Sequence, residues 1–210
     1  MSPRPYRSSR RRVATERTRA RIIKAAAGML ARGKSFSLDA AAKKAGVTRL
    51  TVYHQFGSRR ALLEAVFDDM ADRGGLDRIR EAMASPDPHG ALQQIVAIFC
   101  DFWSRAPTTL WRLHAASASD PELAESLGAR NERRRRLLSV LVDRMSGGER
   151  KSHEALNELL DVLFALTSIS FFSELAVGGR KLDAVCWITQ GLAADAVRRA
   201  LPKPGSQQRA

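Results

Sequence analysis

The stretch SLDAAAKKAGVTRLTVYHQFG, residues 37–57, is the most informative about how the N-terminal part of this chain folds. It holds two short segments of helical periodicity, Leu38–Ala45 and Arg49–Phe56, separated by a turn at Gly46. A short helix, a tight turn and a second short helix form the helix-turn-helix arrangement, which places its second helix in the major groove of DNA. The sequence therefore predicts a DNA-binding unit around this turn.

The ends of these segments carry residues that start and stop helices. Ser37, Thr48 and Ser58 each precede a helical segment and have the short hydroxyl side chains that are preferred at N-caps. Gly46 and Gly57 follow helical segments and can adopt the positive φ that often ends a helix. The sequence thus predicts three consecutive capped helices in this region.

The segment Arg49–Phe56 has two distinguishable faces. At about 100° per residue, Val52 and Phe56 project in one direction, which we take as the buried face. The opposite face is predicted to meet base edges and carries Leu50, Thr51 and His54. The flanks suit phosphates or outer bases and carry Arg49, Tyr53 and Gln55. The next helix begins with SRR, so its N-terminal amides and Arg59 form a further predicted phosphate anchor.

Apolar residues recur at helical spacing on both sides of this region. An amphipathic helix is predicted before it, from Thr15 to Arg32, and another after it, from Ser58 to about Arg73. Gly, Pro and Asp turn signals separate the remaining predicted helices, over residues 76–84, 91–105, 108–118, 121–145, 152–176 and 182–200. No segment alternates with the period of a strand. We therefore predict an all-α chain of about nine helices.

The domain boundaries follow from composition and from these segments. We expect a basic disordered arm over residues 1–14 and a three-helix helix-turn-helix DNA-binding domain over 15–60. A larger helical domain for ligand binding and dimerisation is expected over 61–201, and a disordered tail over 202–210.

The positive charge of the chain is concentrated at its N-terminus. Residues 1–60 contain sixteen Lys or Arg and two acidic residues, whereas residues 61–210 contain nineteen basic and twenty acidic residues. The whole excess of +13 therefore comes from the first 60 residues, against a nearly neutral remainder. A basic head on a neutral body is typical of a protein that binds a polyanion such as DNA, although a solubilising tail would also account for the first dozen residues.

The composition is that of a globular protein, with 44% hydrophobic and 27% charged residues. Two cysteines without a CxxC spacing favour a reducing compartment. The basic N-terminus leads into no apolar stretch, and no apolar run approaches the length of a membrane span. We therefore expect a cytoplasmic protein with no membrane association.

The stretch GMLARGKS, Gly28–Ser35, fits the pattern of a nucleotide-binding P-loop. A P-loop needs a strand before it and a long helix directly after the Lys and Ser. Here Gly28 lies inside a predicted amphipathic helix, and the next predicted helix is short. The context argues against phosphate binding by this segment.

No other enzyme motif is complete. HEALN, His153–Asn157, begins like the helix of a zinc protease, but Asn157 occupies the position of the second His ligand. No G-x-S-x-G elbow is present. We therefore predict no catalytic residue, metal site or cofactor, and no enzymatic activity.

The run SLDAAAKKAGVTRLTVYHQFGSRRALLEAVF, Ser37–Phe67, resembles the DNA-binding region of the TetR family of bacterial transcriptional regulators. The resemblance covers roughly residues 19–70 and implies an all-helical dimer whose divergent C-terminal domain holds an inducer pocket. It places DNA contacts on Ser37, Asp39, Arg49, Leu50, Thr51, Tyr53, His54 and Arg59. Asp39 departs from this pattern because a carboxylate repels phosphate, so we expect it to serve only the helix N-terminus.

Aromatic residues of the C-terminal region are candidates for the ligand pocket, although most aromatic side chains in such a region belong to the core. Trp103, Trp111 and His114 are preferred, because aromatic walls beside an imidazole suit a mostly apolar ligand with one polar group. The other candidates are Phe67, Met70, Phe99, Phe164, Ser168 and Phe171.

Apolar stripes on the last two long helices are suited to a homodimer interface. They contain Leu156, Leu159, Leu160, Leu163 and Leu166, then Val185, Ile188, Leu192 and Ala196. The same stripes could equally pack inside one subunit. The run Arg133–Arg136 spreads over most of a helical turn, so it cannot form one basic stripe, and we expect most of it to be solvated.

Together these patterns predict a homodimeric transcriptional regulator that binds a palindromic operator in double-stranded DNA. Repression, with release by a small ligand of unknown identity, is what the resemblance implies. The alternative is an architectural or adaptor DNA-binding protein that has no inducer.

Overall fold

The computed structural model describes residues 6–33, 36–147 and 152–201, with side chains from residue 11 onward in the first range. Within these ranges it contains no β-strand and eleven α-helices, which confirms the all-α class. They are α1 Tyr6–Leu30, α2 Leu38–Ala45, α3 Arg49–Phe56, α4 Arg59–Arg73, α5 Ile79–Ala84, α6 Pro88–Arg105, α7 Pro107–Ala116, α8 Pro121–Ser146, α9 His153–Leu166, α10 Ile169–Ala176 and α11 Leu182–Ala200.

Several helix boundaries differ from the sequence-based expectation. Helix α1 begins at Tyr6, so residues 6–14 of the expected disordered arm are helical. Helix α6 begins at Pro88 rather than at position 91, because Asp87 caps it by accepting from the His89 amide at 3.0 Å. A proline at the first helical position loses no hydrogen bond and already has a helical φ.

The single long helix expected over residues 152–176 is divided in two. At the break, the Thr167 hydroxyl donates to the Leu163 carbonyl at 2.9 Å, and Ser168 accepts from the Phe171 amide at 3.1 Å as the N-cap of α10. Ser and Thr side chains compete in this way with the main-chain hydrogen bonds of a helix. The two consecutive hydroxyl residues therefore end α9 and start α10.

The chain divides into two compact units, of which the first comprises residues 1–70 and 112–126. In this unit α1 packs on α2, and α2 packs on α3. Its core contains Ile22 and Ala26 of α1, Val52 of α3, and Leu62 and Leu63 of α4, all fully buried. Each large side chain buried in this way contributes about 1.5–3 kcal/mol. This core fixes the orientation of α3.

The second unit comprises residues 71–111 and 127–210. Helix α6 packs on α5 and α11, and α9 packs on α11. The centre of this unit is lined by fully buried aliphatic side chains, which include Leu92, Ile95, Leu138, Leu141 and Leu163.

The P-loop pattern falls on a helix and on residues outside the described ranges. Gly28 lies within α1, and Ala31 continues the helical hydrogen bonding by donating to the Ala27 carbonyl at 2.9 Å. The amides around Gly28 are therefore used within the helix. Lys34 and Ser35 lie outside the described residues.

Among the described residues, no single helix is long and apolar enough to cross a membrane. In the described part of the chain, one bent pair, α9 with residues 169–179 across a bend of 54°, meets the length and composition of a span.

Candidate DNA interface

The turn between α2 and α3 is built as its sequence predicts. Ser37 accepts from the Ala40 amide at 3.1 Å, and Thr48 accepts from the Thr51 amide at 3.1 Å, so both helices have side-chain N-caps. Gly46 ends α2 with φ 64°, in the left-handed region where a side chain is unfavourable. These contacts fix the angle at which the chain enters α3.

Helix α3 buries the face that its projection predicts. Val52 is fully buried and Phe56 is buried, while Leu50 on the opposite side is 61% exposed. Tyr53 and His54 are also exposed. An exposed leucine, an exposed tyrosine and an imidazole along one edge offer both apolar contact for a thymine methyl group and hydrogen bonding for base edges or phosphates.

The remaining candidate DNA contacts lie beside this edge. Arg49 is exposed, and Thr51 and Gln55 are half-buried. The Thr51 hydroxyl lies 2.8 Å from that of Thr48, so it already has one partner in the unbound protein. Ser37 is exposed, with its hydroxyl used as the N-cap of α2.

Asp39 forms an ion pair with Arg49, at 3.3 Å between Oδ2 and Nη1. Asp39 lies in the first turn of α2, where a carboxylate also interacts favourably with the amide end of the helix. Both side chains are largely exposed, so the pair itself contributes little to stability. Its effect is to hold the Arg49 guanidinium beside the N-terminus of α3.

Arg19 of α1 holds the other end of α3. Its guanidinium lies 4.4 Å from the centroid of the Phe56 ring, and its Nη1 donates to the Gln55 carbonyl at 3.2 Å. That carbonyl belongs to the last turn of α3, where main-chain acceptors lack helical partners and the helix dipole attracts cations. Arg19 therefore positions α3. Sequence analysis missed this role because no local pattern connects residues 36 positions apart.

Arg59, the predicted phosphate anchor, is engaged by partners within the first unit. Its guanidinium pairs with Asp120 and Glu122, and its Nε donates to the Phe36 carbonyl at 2.9 Å. Burial alone would lower the pKa of Arg59, but the hydrogen bonds that it donates to Asp120 and Glu122 outweigh burial and raise that pKa. The bond from Arg59, against the opposing effect of burial, lowers the pKa of the Asp120 carboxyl. Arg59 thus ties the start of α4 to the start of α8.

The candidate ligand residues are distributed over both units. In the first unit Phe67 is buried, Met70 is half-buried and His114 is exposed. In the second unit Phe99 is buried and Trp111 is exposed, while half-buried positions are held by Trp103, Phe164, Ser168 and Phe171.

Within the second unit, the structure brings several of these residues together. The rings of Phe99 and Trp103 stack with centroids 6.2 Å apart and an interplanar angle of 20°. Trp103 Nε1 donates to the Thr167 carbonyl at 3.0 Å. The Ser168 hydroxyl is engaged as the N-cap of α10.

The run Arg133–Arg136 contains one buried side chain that the sequence did not reveal. Arg133 and Arg136 are exposed and Arg135 is half-buried, but Arg134 is only 9% exposed. Its guanidinium lies 4.2 Å from the centroid of the Phe164 ring, which is another candidate ligand residue. A run of four arginines gives no signal as to which one faces the core.

No group of three or more His, Cys, Asp or Glu side chains in the described ranges could hold a metal ion. The apolar stripes expected at a dimer interface are partly internal, since Leu159, Leu163, Leu166, Val185 and Ala196 are buried within the subunit. Leu192 of the predicted stripe is exposed. Further exposed apolar side chains in the same region are Val162 of α9, Val177, and Leu182 and Trp187 of α11.

An exposed, capped and core-anchored α3 that follows a short α2 and a glycine turn defines the helix-turn-helix class of DNA-binding proteins. Residues 22–66 match the family described as the bacterial regulatory proteins of the tetR family. Over these residues, which include the helix-turn-helix, the chain is similar to the TetR-type transcriptional regulators.

One curated relative matches part of the chain. The chain is 34% identical over 91 residues to the HTH-type transcriptional regulator EthR of Mycolicibacterium smegmatis. That match spans 42% of this chain and 42% of the relative's own length, so it covers less than half of either protein.

Solved structures resemble the fold over most of the chain. A TetR-like transcriptional regulator from Rhodococcus sp. RHA1 has a TM-score of 0.59 at 19% identity, covering 86% of this chain and 95% of its own. A TetR transcription regulator from Haloarcula marismortui has a TM-score of 0.60 at 13% identity, covering 88% and 98%. At these identities the likeness concerns the fold alone.

Proposed function

We propose that this chain is a homodimeric repressor that binds a palindromic operator through α3 and is released by a small, mostly apolar ligand. The exposed edge of α3 carries the proposal: Leu50, Tyr53 and His54 face outward from a helix whose opposite side is locked into the core. Leu50 and Thr51 would contact thymine methyl groups, His54 and Gln55 base edges, and Arg49, Tyr53 and the N-cap Ser37 the sugar-phosphate backbone.

The charge of the N-terminal region supports DNA as the partner. Residues 1–60 carry a net charge of +14, from sixteen basic and two acidic residues, and the described side chains of α1 at Arg11, Arg12, Arg17 and Arg21 are exposed. Each phosphate that such residues neutralise releases condensed counterions, so we expect affinity to fall steeply with salt. This part of the binding carries no sequence information, which leaves specificity to α3.

The exposed apolar side chains of α11 support dimerisation through the second unit. Trp187 on α11 is 76% exposed in the single chain, and Leu192 on the same helix is also exposed. Burial of one tryptophan and its apolar neighbours in an interface contributes several kcal/mol. A twofold dimer presents two copies of α3, and a palindromic operator with half-sites about one helical turn apart matches that symmetry.

The dimer is tested by light scattering at micromolar concentration. Wild-type protein is expected at twice the chain mass, and Trp187→Arg at the chain mass. Val140→Arg is the matched control, because Val140 is an exposed apolar residue of α8 outside the proposed interface. A monomeric wild-type protein, or a Trp187→Arg variant that stays dimeric, would contradict this step.

DNA recognition is tested by selecting bound duplexes from a random pool. We expect wild-type protein to enrich an inverted repeat, and the double variant Leu50→Ala with His54→Ala to enrich none. Lys44→Ala serves as control, because it removes an exposed positive charge from α2 and leaves α3 intact. Enrichment of no sequence by the wild type, or of the same repeat by the double variant, would overturn the proposal.

A further inference from the structure

Arg134 is a buried cation in the second unit. Its side chain is only 9% exposed, and in the part of the chain that the structure describes no carboxylate pairs with it. Its neighbour Arg135, by contrast, has an acidic partner in Asp161. Burial lowers the pKa of Arg134 to about 10, so the guanidinium is still charged at neutral pH. Charged groups are rarely buried without a counter-ion because desolvation is costly.

The contacts of Arg134 hold it in place without neutralising it. Nη1 donates to the Thr167 carbonyl at 2.6 Å, at the C-terminal end of α9, where the helix dipole offers partial negative charge. The guanidinium also lies over the Phe164 ring at 4.2 Å and near the Phe99 ring at 5.9 Å. Two aromatic faces and a helix end attract a cation, but none of them supplies a full negative charge.

The Nε–Nη2 edge of the Arg134 guanidinium lacks a strong hydrogen-bond partner. Nε is buried and has no hydrogen-bond partner, and Nη2, which lies on the same edge, has only a long bond of 3.4 Å to Asn131 Oδ1. The Asn131 side chain is exposed and can rotate away. The Nε and Nη2 hydrogens of one edge match the spacing of two carboxylate oxygens, so this edge is suited to a bidentate carboxylate.

The surroundings of this edge are aromatic. Phe99, Trp103 and Phe164 lie around Arg134, and Trp103 donates to the same Thr167 carbonyl as the guanidinium. A ligand held by this edge would place its uncharged part against rings, which favour aromatic or aliphatic groups. A phosphate dianion would need more donors than the single edge provides.

We propose that Arg134 is the anchor of an effector site in the second unit, and that the effector is a monocarboxylic acid with an aromatic or aliphatic body. This inference rests on the proposed release by a ligand, but it replaces His114 with Arg134 as the polar group that the ligand meets. The carboxylate takes the open Nε–Nη2 edge, while Nη1 keeps its bond to Thr167 at the break between α9 and α10.

The test uses the full-length protein and four probes: phenylacetate, decanoate and the primary amide of each. Binding is followed by tryptophan fluorescence and by the melting temperature. We expect at least one acid to quench fluorescence and raise the melting temperature, and its uncharged amide to bind at least about tenfold more weakly, because a charge-assisted bidentate contact is lost.

Variants assign the effect to one residue. Arg134→Gln is expected to reduce the affinity for the acid at least about tenfold and to remove the preference over the amide. Arg133→Gln removes an exposed neighbouring charge and is expected to leave the affinity for the acid and the preference over the amide unchanged. Arg134→Lys keeps the charge without the planar edge and is expected to bind with intermediate affinity; it stands in for Arg134→Gln if that variant does not fold.

Three results would overturn the inference: equal affinity for acid and amide, no binding of either acid, or acid binding that Arg134→Gln and Arg134→Lys leave unchanged. The proposed repressor mechanism is tested separately, by adding the bound acid to the complex with a selected duplex. An acid that binds through Arg134 but does not release DNA supports the anchor and contradicts release by a ligand.

Discussion

Replacing Arg59 with alanine is expected to destabilise the first unit, because this side chain ties three segments together. Its guanidinium pairs with Asp120 and Glu122, and its Nε donates to the Phe36 carbonyl. The neighbouring Arg60 pairs with Glu125 in the same way but at the surface. The Arg59 side chain is 25% exposed and that of Arg60 is 47% exposed, so the two variants compare a mostly buried ion pair with an open one.

The magnitude follows from that difference in exposure. Removal of one partner from a fully buried ion pair costs about 3–5 kcal/mol, whereas an exposed pair is worth about 0–1 kcal/mol. The Arg59 and Asp120 side chains are 25% and 28% exposed, Glu122 is 47% exposed, and several charge-assisted hydrogen bonds are lost. We therefore expect Arg59→Ala to cost about 2 kcal/mol. Arg60→Ala is expected to cost less than about 0.5 kcal/mol.

Urea unfolding followed by circular dichroism measures both variants against the wild type. The pH dependence gives a second reading. Because Arg59 lowers the pKa of the folded-state Asp120 carboxyl, the stabilisation is complete above the unfolded-state pKa of about 3.9. It is lost as the pH falls through the lower folded-state pKa, so the difference between Arg59→Ala and wild type is expected to shrink in strong acid.

Equal stability of the Arg59→Ala and Arg60→Ala variants would show that the partners of Arg59 do not stabilise the first unit. If Arg59 contacted a DNA phosphate, Arg59→Ala would instead reduce the slope of log affinity against log salt concentration by about one, with little change in stability. We expect Arg59→Ala to lower the unfolding free energy and to leave that salt dependence unchanged.

Three further predictions concern single residues. Arg19→Ala removes the contact with the last turn of α3 and is expected to lower the free energy of urea unfolding by about 1–2 kcal/mol and to weaken DNA binding. Lys24→Ala, on the exposed side of α1, is the control and is expected to change neither the unfolding free energy nor the DNA affinity. Gly46→Ala is expected to lower the unfolding free energy by about 1–2 kcal/mol, because the φ of Gly46 is 64°. Gly28→Ala inside α1 is expected to raise it by about 0.5–1 kcal/mol. The melting temperature should therefore fall for the first variant and rise for the second, and equal shifts would contradict both expectations. Burial raises the pKa of the Cys100 thiol to about 12. Iodoacetamide at pH 8 should therefore alkylate Cys100 in the folded protein at least about a hundredfold more slowly than in the unfolded protein, as followed by mass spectrometry. Similar rates in the two states would show that the thiol is accessible.

The features that the sequence predicted are those set by neighbouring residues. The N-caps at Ser37 and Thr48, the stop at Gly46 and the buried direction of α3 all depend on positions within one or two turns. Local hydrogen bonding and helical periodicity determine them, so they can be read from a single sequence. The break at Thr167 also has a local cause, but the apolar periodicity of residues 152–176 continues across it and therefore predicted one long helix.

The features that sequence analysis missed depend on distant residues. Arg19 meets Gln55, Arg59 meets Asp120, and Arg134 meets Thr167, at separations of 36, 61 and 33 positions. An arginine in an amphipathic helix looks the same in the sequence whether it is solvated or buried against rings. Only tertiary packing distinguishes these cases. The sequence alone therefore could not identify the carboxylates beside Arg59, nor show that Arg134 is buried within a run expected to be mostly solvated.

Recognition of bases by the outward edge of α3 can be measured as the ratio of specific to non-specific DNA affinity. Fluorescence anisotropy would compare a selected duplex with a scrambled one, at a single salt concentration, for wild type and for Leu50→Ala with His54→Ala. We predict that the wild type prefers the selected duplex at least about a thousandfold, and that the double variant loses most of this preference while its affinity for the scrambled duplex stays the same. A double variant that keeps the full preference would contradict the account.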